Sequence, residues 1–586
     1  MPRFSKTFAT FLLLVVALSL KASAATNLYP NVVLIMTDDQ GYGDLGHHGN
    51  PVLNTPNLDA FANEASTFRQ FYVSPVCSPT RSSLMTGRYN YRTGVVDTWL
   101  GRSMMFENET TLAEIMRQAG YQTGIFGKWH LGDNYPMRPQ DQGFQDVLVH
   151  MGGGIGQPAD PPGNTYFDPI VNKDGKQVKS KGYCTDVFTD GALDFFYENR
   201  RKPFFAYIAY NAPHTPLQVP EEYHKLYKDR DLSPGQFPSK GQPIQEAKNL
   251  DDIARVYGMV QNIDDNFGRI VKKLEELGLR DNTILIFLTD NGPQQPRYNG
   301  GLRGLKGSVF EGGIRVPFYL QWPARLKKRS YDIMAAHIDV APTLLDLCGI
   351  PVPNNVLFDG RSLAPLLTLQ AGRKLSWPSR TLYFQWHRGD IPQKHQAFAA
   401  RTQRYKLVQP KGIQEGSYKG TEPYMLFDIQ NDPYETTDIA DENPEVVKEM
   451  KRRYSEWFDE MAATRGFEQP FIEVATQHEN PSTLTRQDWR GPKASWRSDG
   501  LGHWDVIVPK EGRYHIGLRF EALANDGKVH FRLGDVSATE PVKKGATEHT
   551  FRNIKMDATG GKLEAWVEEA SQQRGVHYVE VRRRIW

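Results

Sequence analysis

Cysteine is nearly absent: Cys77, Cys184 and Cys348 are the only three in 586 residues, too few for a disulfide scaffold. The odd count leaves at least one thiol unpaired. Cys184 and Cys348 read as small buried hydrophobes, which leaves Cys77 to be accounted for separately. An excess of either charge is missing too, since 70 Lys and Arg face 68 Asp and Glu for a formal charge of +2. Without a bulk basic field, nucleic-acid binding has no compositional support. There is no internal repeat and no low-complexity tract. Function is therefore expected from local constellations.

Long apolar runs are absent as well, apart from Phe8–Leu20, which follows Arg3 and Lys6 and precedes Ala22-Ser23-Ala24. That order is a signal-peptide pattern with cleavage after Ala24, and the run falls short of the ~20 residues that span a bilayer. The expectation is an exported protein, periplasmic or extracellular, with no membrane attachment after cleavage. A hydrophobic content of 39% and a charged content of 24% suit a globular chain long enough for two or three domains.

From Asn31 to about Gly349, apolar runs alternate with amphipathic stretches. The runs are Val32–Met36, Gly124–Phe126, Phe204–Ala209, Thr283–Leu288 and Val316–Gln321, and the helix candidates include Pro56–Ser66, Leu112–Arg117 and Asp186–Asn199. In Asp252–Leu277 the apolar positions Ile253, Val256, Val260, Ile263, Phe267, Ile270 and Leu274 keep helical spacing, and Gly278 supplies a stop. Such alternation predicts an α/β fold, a mainly parallel sheet between helices, over residues 25–375. Residues 376–467 predict a smaller α+β lobe with strands at Thr381–Trp386, Arg404–Leu407 and Tyr424–Asp428 and a helix from Pro444. Residues 468–497 are polar and irregular, a linker, and period-two alternation over 498–586 predicts a terminal β-sandwich.

Two apolar runs end in oxygen-rich pairs, Asp38-Asp39 and Asp290-Asn291. Strand ends of a parallel sheet share one edge, where ligands bind, and three carboxylates with an amide form a hard site suited to Ca²⁺ and less readily to Mg²⁺. Next comes Cys77-Ser78-Pro79-Thr80-Arg81. Ser78 as N-cap and Pro79 in the first turn would set Cys77 just before a helix N-terminus, where backbone N–H groups favour anions. Arg81 adds a planar cationic fork.

That C-x-P-x-R frame resembles the modification signal of the type I, formylglycine-dependent sulfatase family, of alkaline-phosphatase-like fold, with Thr80 where serine is commoner. Gly127-Lys128-Trp129-His130-Leu131-Gly132, Asn211-Ala212-Pro213-His214, Leu302-Arg303-Gly304-Leu305-Lys306-Gly307 and Glu311-Gly312-Gly313-Ile314-Arg315 agree with it, and the similarity covers about 30–467. The resemblance implies that a maturation enzyme oxidises Cys77 to formylglycine, the nucleophile. Asp38, Asp39, Asp290, Asn291 and the modified Cys77 would hold one Ca²⁺. Arg81, Lys128, His130, His214 and Lys306 would surround the sulfate, with His214 and Lys306 protonating the leaving alcohol and His130 beside the nucleophile. The physical logic is independent of the likeness, because cations and a metal stabilise the charge that develops as a sulfate ester breaks.

Specificity is less legible. His48, Trp99, Arg102, Trp386 and His387 lie in loops near the motifs and are candidate contacts to a sulfated glycan, since aromatic faces suit pyranose rings and arginine suits anions. Two other readings stand beside sulfate-ester hydrolysis: a phosphatase or phosphodiesterase of the same superfold, and an inactive glycan-binding relative working through its β-sandwich. None of the ten positions named for the metal, the nucleophile and the sulfate departs from the residue type expected of an active enzyme.

Overall fold

Strand Asn31–Thr37 is buried along its whole length, as are Phe204–Ala209 and Thr283–Thr289, so each is covered on both faces. Successive side chains of a strand point to opposite faces, and here they enter different cores: Val32, Leu34 and Met36 join one apolar cluster, Val33 and Ile35 the other. Helices close each side, as the unbroken apolar runs require. The structure, a computed structural model, describes residues 29–584 apart from 371, 372, 374, 417, 421 and 422. The expected signal peptide, residues 1–24, lies outside them.

The main sheet has ten strands. Its centre runs Thr283–Thr289, Asn31–Thr37, Phe204–Ala209, Gln122–Lys128, Asp146–His150, all parallel. Phe318–Gln321 joins antiparallel between Thr283–Thr289 and Ser66–Tyr72, so the sheet is mixed at its edges. The long helix Leu250–Glu276 buries the apolar stripe expected from its spacing, Ile253 through Leu274, and presents Phe267 edge-on to Phe287 of the sheet. Asn249 caps its start through the Asp251 amide. No helix among the described residues is long and apolar enough to cross a membrane.

In the smaller lobe a four-stranded antiparallel sheet, Leu382–Gln385, Phe398–Arg401, Tyr405–Gln409, Met425–Asp428, packs under the helix Pro444–Arg465. Tyr454 of that helix stacks on Phe398 at 3.6 Å between centroids. The strand Phe398–Arg401 has no counterpart in the sequence reading, because its four buried residues, including Ala399 and Ala400, show no alternation.

Two further sheets face each other across one core holding Trp504, Val506, Tyr514, Ile516, Phe531 and Val581. Residues 468–497, expected as a linker, are part of this sandwich. Ile472–Glu473 pairs with His503–Val508, and Ser482–Thr485 pairs with Tyr578–Arg583. Trp489 from the same stretch is wholly buried. The segment reads as irregular because its strands are two and four residues long, too short to show a period. Leu100, Met104 and Met137 of the α/β unit enter this core too, so the two units share buried apolar surface.

Candidate functional site

Register places the oxygen donors. Thr37 lies directly beside Thr289 in the parallel pair, so the residues that follow, Asp38-Asp39 and Asp290-Asn291, leave the sheet side by side. Asp39 turns back with a φ of 61°, a conformation that Asp tolerates better than most residues, and its amide donates to Asp290 Oδ1 at 3.1 Å. Asp38, Asp39 and Asp290 each offer a carboxylate oxygen, all within 4.8 Å of one another. Asp39 Oδ2 and Asn291 Oδ1 are buried without a hydrogen-bond partner. Unpartnered buried oxygens are costly, and a cluster of hard oxygens suits a hard divalent cation. The donor set therefore fits calcium.

The helix Cys77–Thr86 aims its N-terminus at these carboxylates and is buried throughout. It starts two residues earlier than the sequence predicts: Val76, not Ser78, is the extended cap residue, it offers no side-chain cap, and Ser78 Oγ has no partner. Cys77 is thus the first helical residue, with Sγ 3.5 Å from Asp38 Oδ1. Burial, reinforced by Asp38, pushes the Cys77 thiol up to about 12. A thiol so raised is not a thiolate at neutral pH and makes a poor nucleophile as encoded.

Three cations answer the three carboxylates. Lys128 Nζ lies 2.5 Å from Asp38 Oδ2, Lys306 Nζ 2.6 Å from Asp39 Oδ1 and Arg81 Nη2 2.8 Å from Asp290 Oδ2. Lys128 ends the strand Gln122–Lys128, which puts it on the same sheet edge. Burial works to raise Asp39, yet Lys306 and His214 hold it well below the usual carboxylate range. Burial and the neighbouring Asp38 push Asp290 up to about 7 against the pull of Arg81 and Lys128. For Lys306, burial opposes the charged form, but Asp39 and the other acidic groups outweigh it and its pKa rises.

The two histidines differ in orientation. His214 Nδ1 lies 2.5 Å from the Thr215 carbonyl, which can only accept, so Nδ1 carries the hydrogen and Nε2, 3.8 Å from Asp39 Oδ2, carries the lone pair. His130 has the opposite tautomer, with Nε2 donating to the Thr98 carbonyl at 2.8 Å and Nδ1 buried and unpartnered. Burial, then the nearby Lys306, brings His214 down to about 3; burial and Lys128 depress His130 strongly. The glycine run makes room for both rings, since a Cβ on Gly153 would sit 2.8 Å from His130 Cε1 and one on Gly154 3.4 Å from His214 Cε1.

A cavity of about 370 Å³ opens over Cys77, His130, His214 and Lys306, with Trp99 and Trp386 further out. Those two of the five candidate sugar contacts are thus brought to it; the other three are not. His48 sits between the Tyr42 carbonyl at 2.6 Å and the Tyr319 hydroxyl at 2.6 Å. Arg102 is spent on Asp390 at 2.7 Å. His387 is tied by Nδ1 to the Arg388 carbonyl and by Nε2 to the Gln393 amide. Each of the three is engaged by other groups of the protein, His387 by local chain and His48 and Arg102 by partners far along the sequence, which is why proximity to the motifs misleads. Arg388, Gln157, Gln414 and Trp496 line the cavity instead. Nothing in spacing marks them, and Trp496 lies in the stretch read as a linker. A larger cavity of about 790 Å³ lies between the α/β unit and the sandwich, reaching from Asp133 to Glu580; it holds none of the groups just described, so the smaller one carries the chemistry.

Comparison with known proteins finds likeness at the level of family and fold. The profile of the family described as Sulfatase matches residues 30–350, and that described as N-sulphoglucosamine sulphohydrolase, C-terminal, matches 305–460. Human arylsulfatase A is 31% identical over 492 residues, covering 74% of this chain and 89% of that enzyme. The N-acetylglucosamine-6-O-sulfatase of Bacteroides thetaiotaomicron is 27% identical over 518 residues, covering 74% and 87%. Among solved structures, Ps i-CgsB in complex with k-i-k-neocarrahexaose superposes with a TM-score of 0.61 at 28% identity, covering 75% of this chain and 94% of that one.

Proposed function

The chain belongs to the sulfatase family, of alkaline-phosphatase-like fold, and is a sulfuric ester hydrolase; from that premise we propose that it removes sulfate from a sulfated carbohydrate, with a formylglycine made from Cys77 as nucleophile and one Ca²⁺. Asp38, Asp39, Asp290, Asn291 and the modified Cys77 would hold the ion. Bound there, calcium would supply positive charge to the reacting group, and formylglycine would supply a hydroxyl nucleophile that the buried thiol lacks. The observation that carries the reading is Cys77 at the head of a buried helix, 3.5 Å from Asp38, among three carboxylates each answered by a cation.

The chain's own groups divide the remaining work. Helix N–H groups, Lys128, Lys306 and Arg81 gather the sulfate charge. Of the two groups placed to protonate the leaving alcohol, Lys306 holds its proton already, because Asp39 and its acidic neighbours sustain it. His214 turns Nε2 toward the site, 3.8 Å from Asp39 Oδ2, and is the second group placed to reach the leaving oxygen. His130 offers its unpartnered Nδ1 as the acceptor for a hydroxyl proton at residue 77.

The sugar reading rests on relatives whose names specify N-acetylglucosamine 6-sulfate and N-acetylgalactosamine 6-sulfate, and on the structure of a relative bound to a carrageenan hexasaccharide. The protein is exported, and a formylglycine-generating enzyme is its maturation partner. The test is mass spectrometry of the Cys77 peptide from protein made with that partner, together with sulfate release from 4-nitrophenyl sulfate, the two hexosamine 6-sulfates and carrageenan oligosaccharides. Formylglycine at position 77 with sulfate released from at least one sugar is the expected result. Full turnover by protein whose Cys77 remains a thiol would overturn the nucleophile.

A further inference from the structure

The sulfate-binding end of the cavity accounts for only part of it. Beyond Lys306 the walls are aromatic: Trp99 from the α/β unit, Trp386 from the smaller lobe and Trp496 from the terminal sandwich. Trp99 and Trp496 meet edge to face, 5.2 Å between centroids at 89°, so the two rings form a corner. Trp496 is fixed by its Nε1, which donates to the Arg486 carbonyl at 3.2 Å. Trp386 is fixed by its own Nε1 on Asp97 Oδ1 at 2.9 Å and lies against Gly307, where a Cβ would come within 2.7 Å of the indole.

Arg388 stands between Trp99 and Trp386, its guanidinium 5.0 and 4.9 Å from their centroids. Its hydrogen bonds to Asp97 and Thr98 both leave from Nη1, and its side chain keeps 30% exposure. Nε and Nη2 therefore remain as donors at the cavity wall. Two indole faces at a corner beside a guanidinium with spare N–H groups is the chemistry that recognises a pyranose ring with hydroxyl and anionic substituents.

We propose that Trp99, Trp496 and Arg388 form a sugar subsite next to the sulfate position, so that the terminal β-sandwich is part of the substrate site rather than an appendage. The proposal rests on the sulfatase reading above and goes beyond it by assigning substrate recognition to Trp496, a residue outside the 30–460 stretch that the family profiles match. The substrate class is a saccharide whose sulfated unit enters ring-first against Trp496.

The experiment uses full-length, formylglycine-bearing protein and reads inhibition of 4-nitrophenyl sulfate turnover by the hexosamine 6-sulfates and carrageenan oligosaccharides, with inorganic sulfate as the reference anion. Wild type is expected to bind at least one sugar sulfate ten times more tightly than inorganic sulfate. Trp496→Ala should lose about tenfold of that preference, and Trp496→Phe, which keeps a ring, should recover most of it. A wild type that turns over nitrophenyl sulfate but prefers no sugar sulfate to inorganic sulfate would overturn the subsite, as would Trp496→Ala keeping the full preference. Should wild type release sulfate from neither nitrophenyl sulfate nor any of the sugars, it is the sulfatase reading that fails, and the subsite falls with it.

Discussion

Gln487 of the terminal sandwich donates from Nε2 to the Thr98 carbonyl at 3.0 Å, the same oxygen that accepts from His130 Nε2 at 2.8 Å. Gln487 also donates to Ser103 Oγ at 3.2 Å, and its carbonyl accepts from the Gly101 amide. The loop that orients His130 is therefore clamped by a residue far along the chain. Gln487→Ala should lower kcat by on the order of ten- to a hundredfold through misplacement of the ring, with a smaller change in KM. Steady-state kinetics on 4-nitrophenyl sulfate, with a thermal melt to show the variant folded, checks this. A variant with wild-type kcat would remove the clamp from the mechanism.

Asn31–Thr37, Phe204–Ala209 and Thr283–Thr289 were legible in the sequence because they are buried on both faces, which turns each into a nearly unbroken apolar run, whereas Asp146–His150, partly exposed, was not read as a strand. The Asp38-Asp39 and Asp290-Asn291 pairs were legible for the same reason, as polar breaks at the ends of such runs. What escaped was set by tertiary pairing. Ser66–Tyr72 carries Arg69 and Gln70 amid its apolar residues, and Ile472–Glu473 is a strand only because His503–Val508 lies beside it. Trp496 and Gln487 reach the site over a sequence distance that no local pattern encodes.

Removing the metal is the second test. Without calcium, Asp38, Asp39 and Asp290 crowd together with only Lys128, Lys306 and Arg81 to balance them. Chelator treatment should abolish turnover and lower the melting temperature by several degrees, since a ligand at a hundred times its Kd contributes about 2.7 kcal/mol. Calcium should restore both. Magnesium should restore less, because it demands a tight octahedron that keeps several waters. Differential scanning calorimetry with and without each ion decides; an unchanged melt on adding calcium would argue against the oxygen cluster as its site.

His48 separates structure from specificity. It bridges the Tyr42 carbonyl and the Tyr319 hydroxyl and stacks on Tyr42 at 3.9 Å, away from the cavity wall. His48→Ala should therefore cost stability, about 1–3 kcal/mol for the polar partners it strands, while leaving the KM for any sugar sulfate within twofold. Burial brings its pKa down to about 3. A base whose folded pKa is depressed is neutral in the native state and takes up a proton on unfolding once the pH falls below its ordinary value of about 6.5. Its contribution to stability is thus intact above pH 6.5 and declines as the pH falls toward 3. Urea unfolding at pH 7.5 and pH 5 should show the gap between wild type and His48→Ala narrowing at the lower pH; a constant gap would mean that the ring is charged in the fold.

Deleting residues 468–586 asks whether the sandwich is an independent module. An appendage that only gathered polymer would leave turnover of 4-nitrophenyl sulfate untouched. The packing argues otherwise: Leu100, Met104 and Met137 are buried in the sandwich core, and Arg138 and Asn134 hydrogen-bond to His478, Glu479 and Thr483 within the deleted segment. Exposing three large apolar side chains costs about 1.5–3 kcal/mol each, and loss of Gln487 frees the loop that holds His130. The truncated protein should melt well below the full chain and lose most of its turnover on the small aryl ester as well as on sugars. A milder cut into the same contact, Trp489→Ala, leaves the chain complete and should cost about 3–5 kcal/mol, because Trp489 is wholly buried and packs against Gly500, Gly502 and Gly575. If both proteins kept full activity on nitrophenyl sulfate, the sandwich would be independent after all, and the shared core would be a contact without consequence for catalysis.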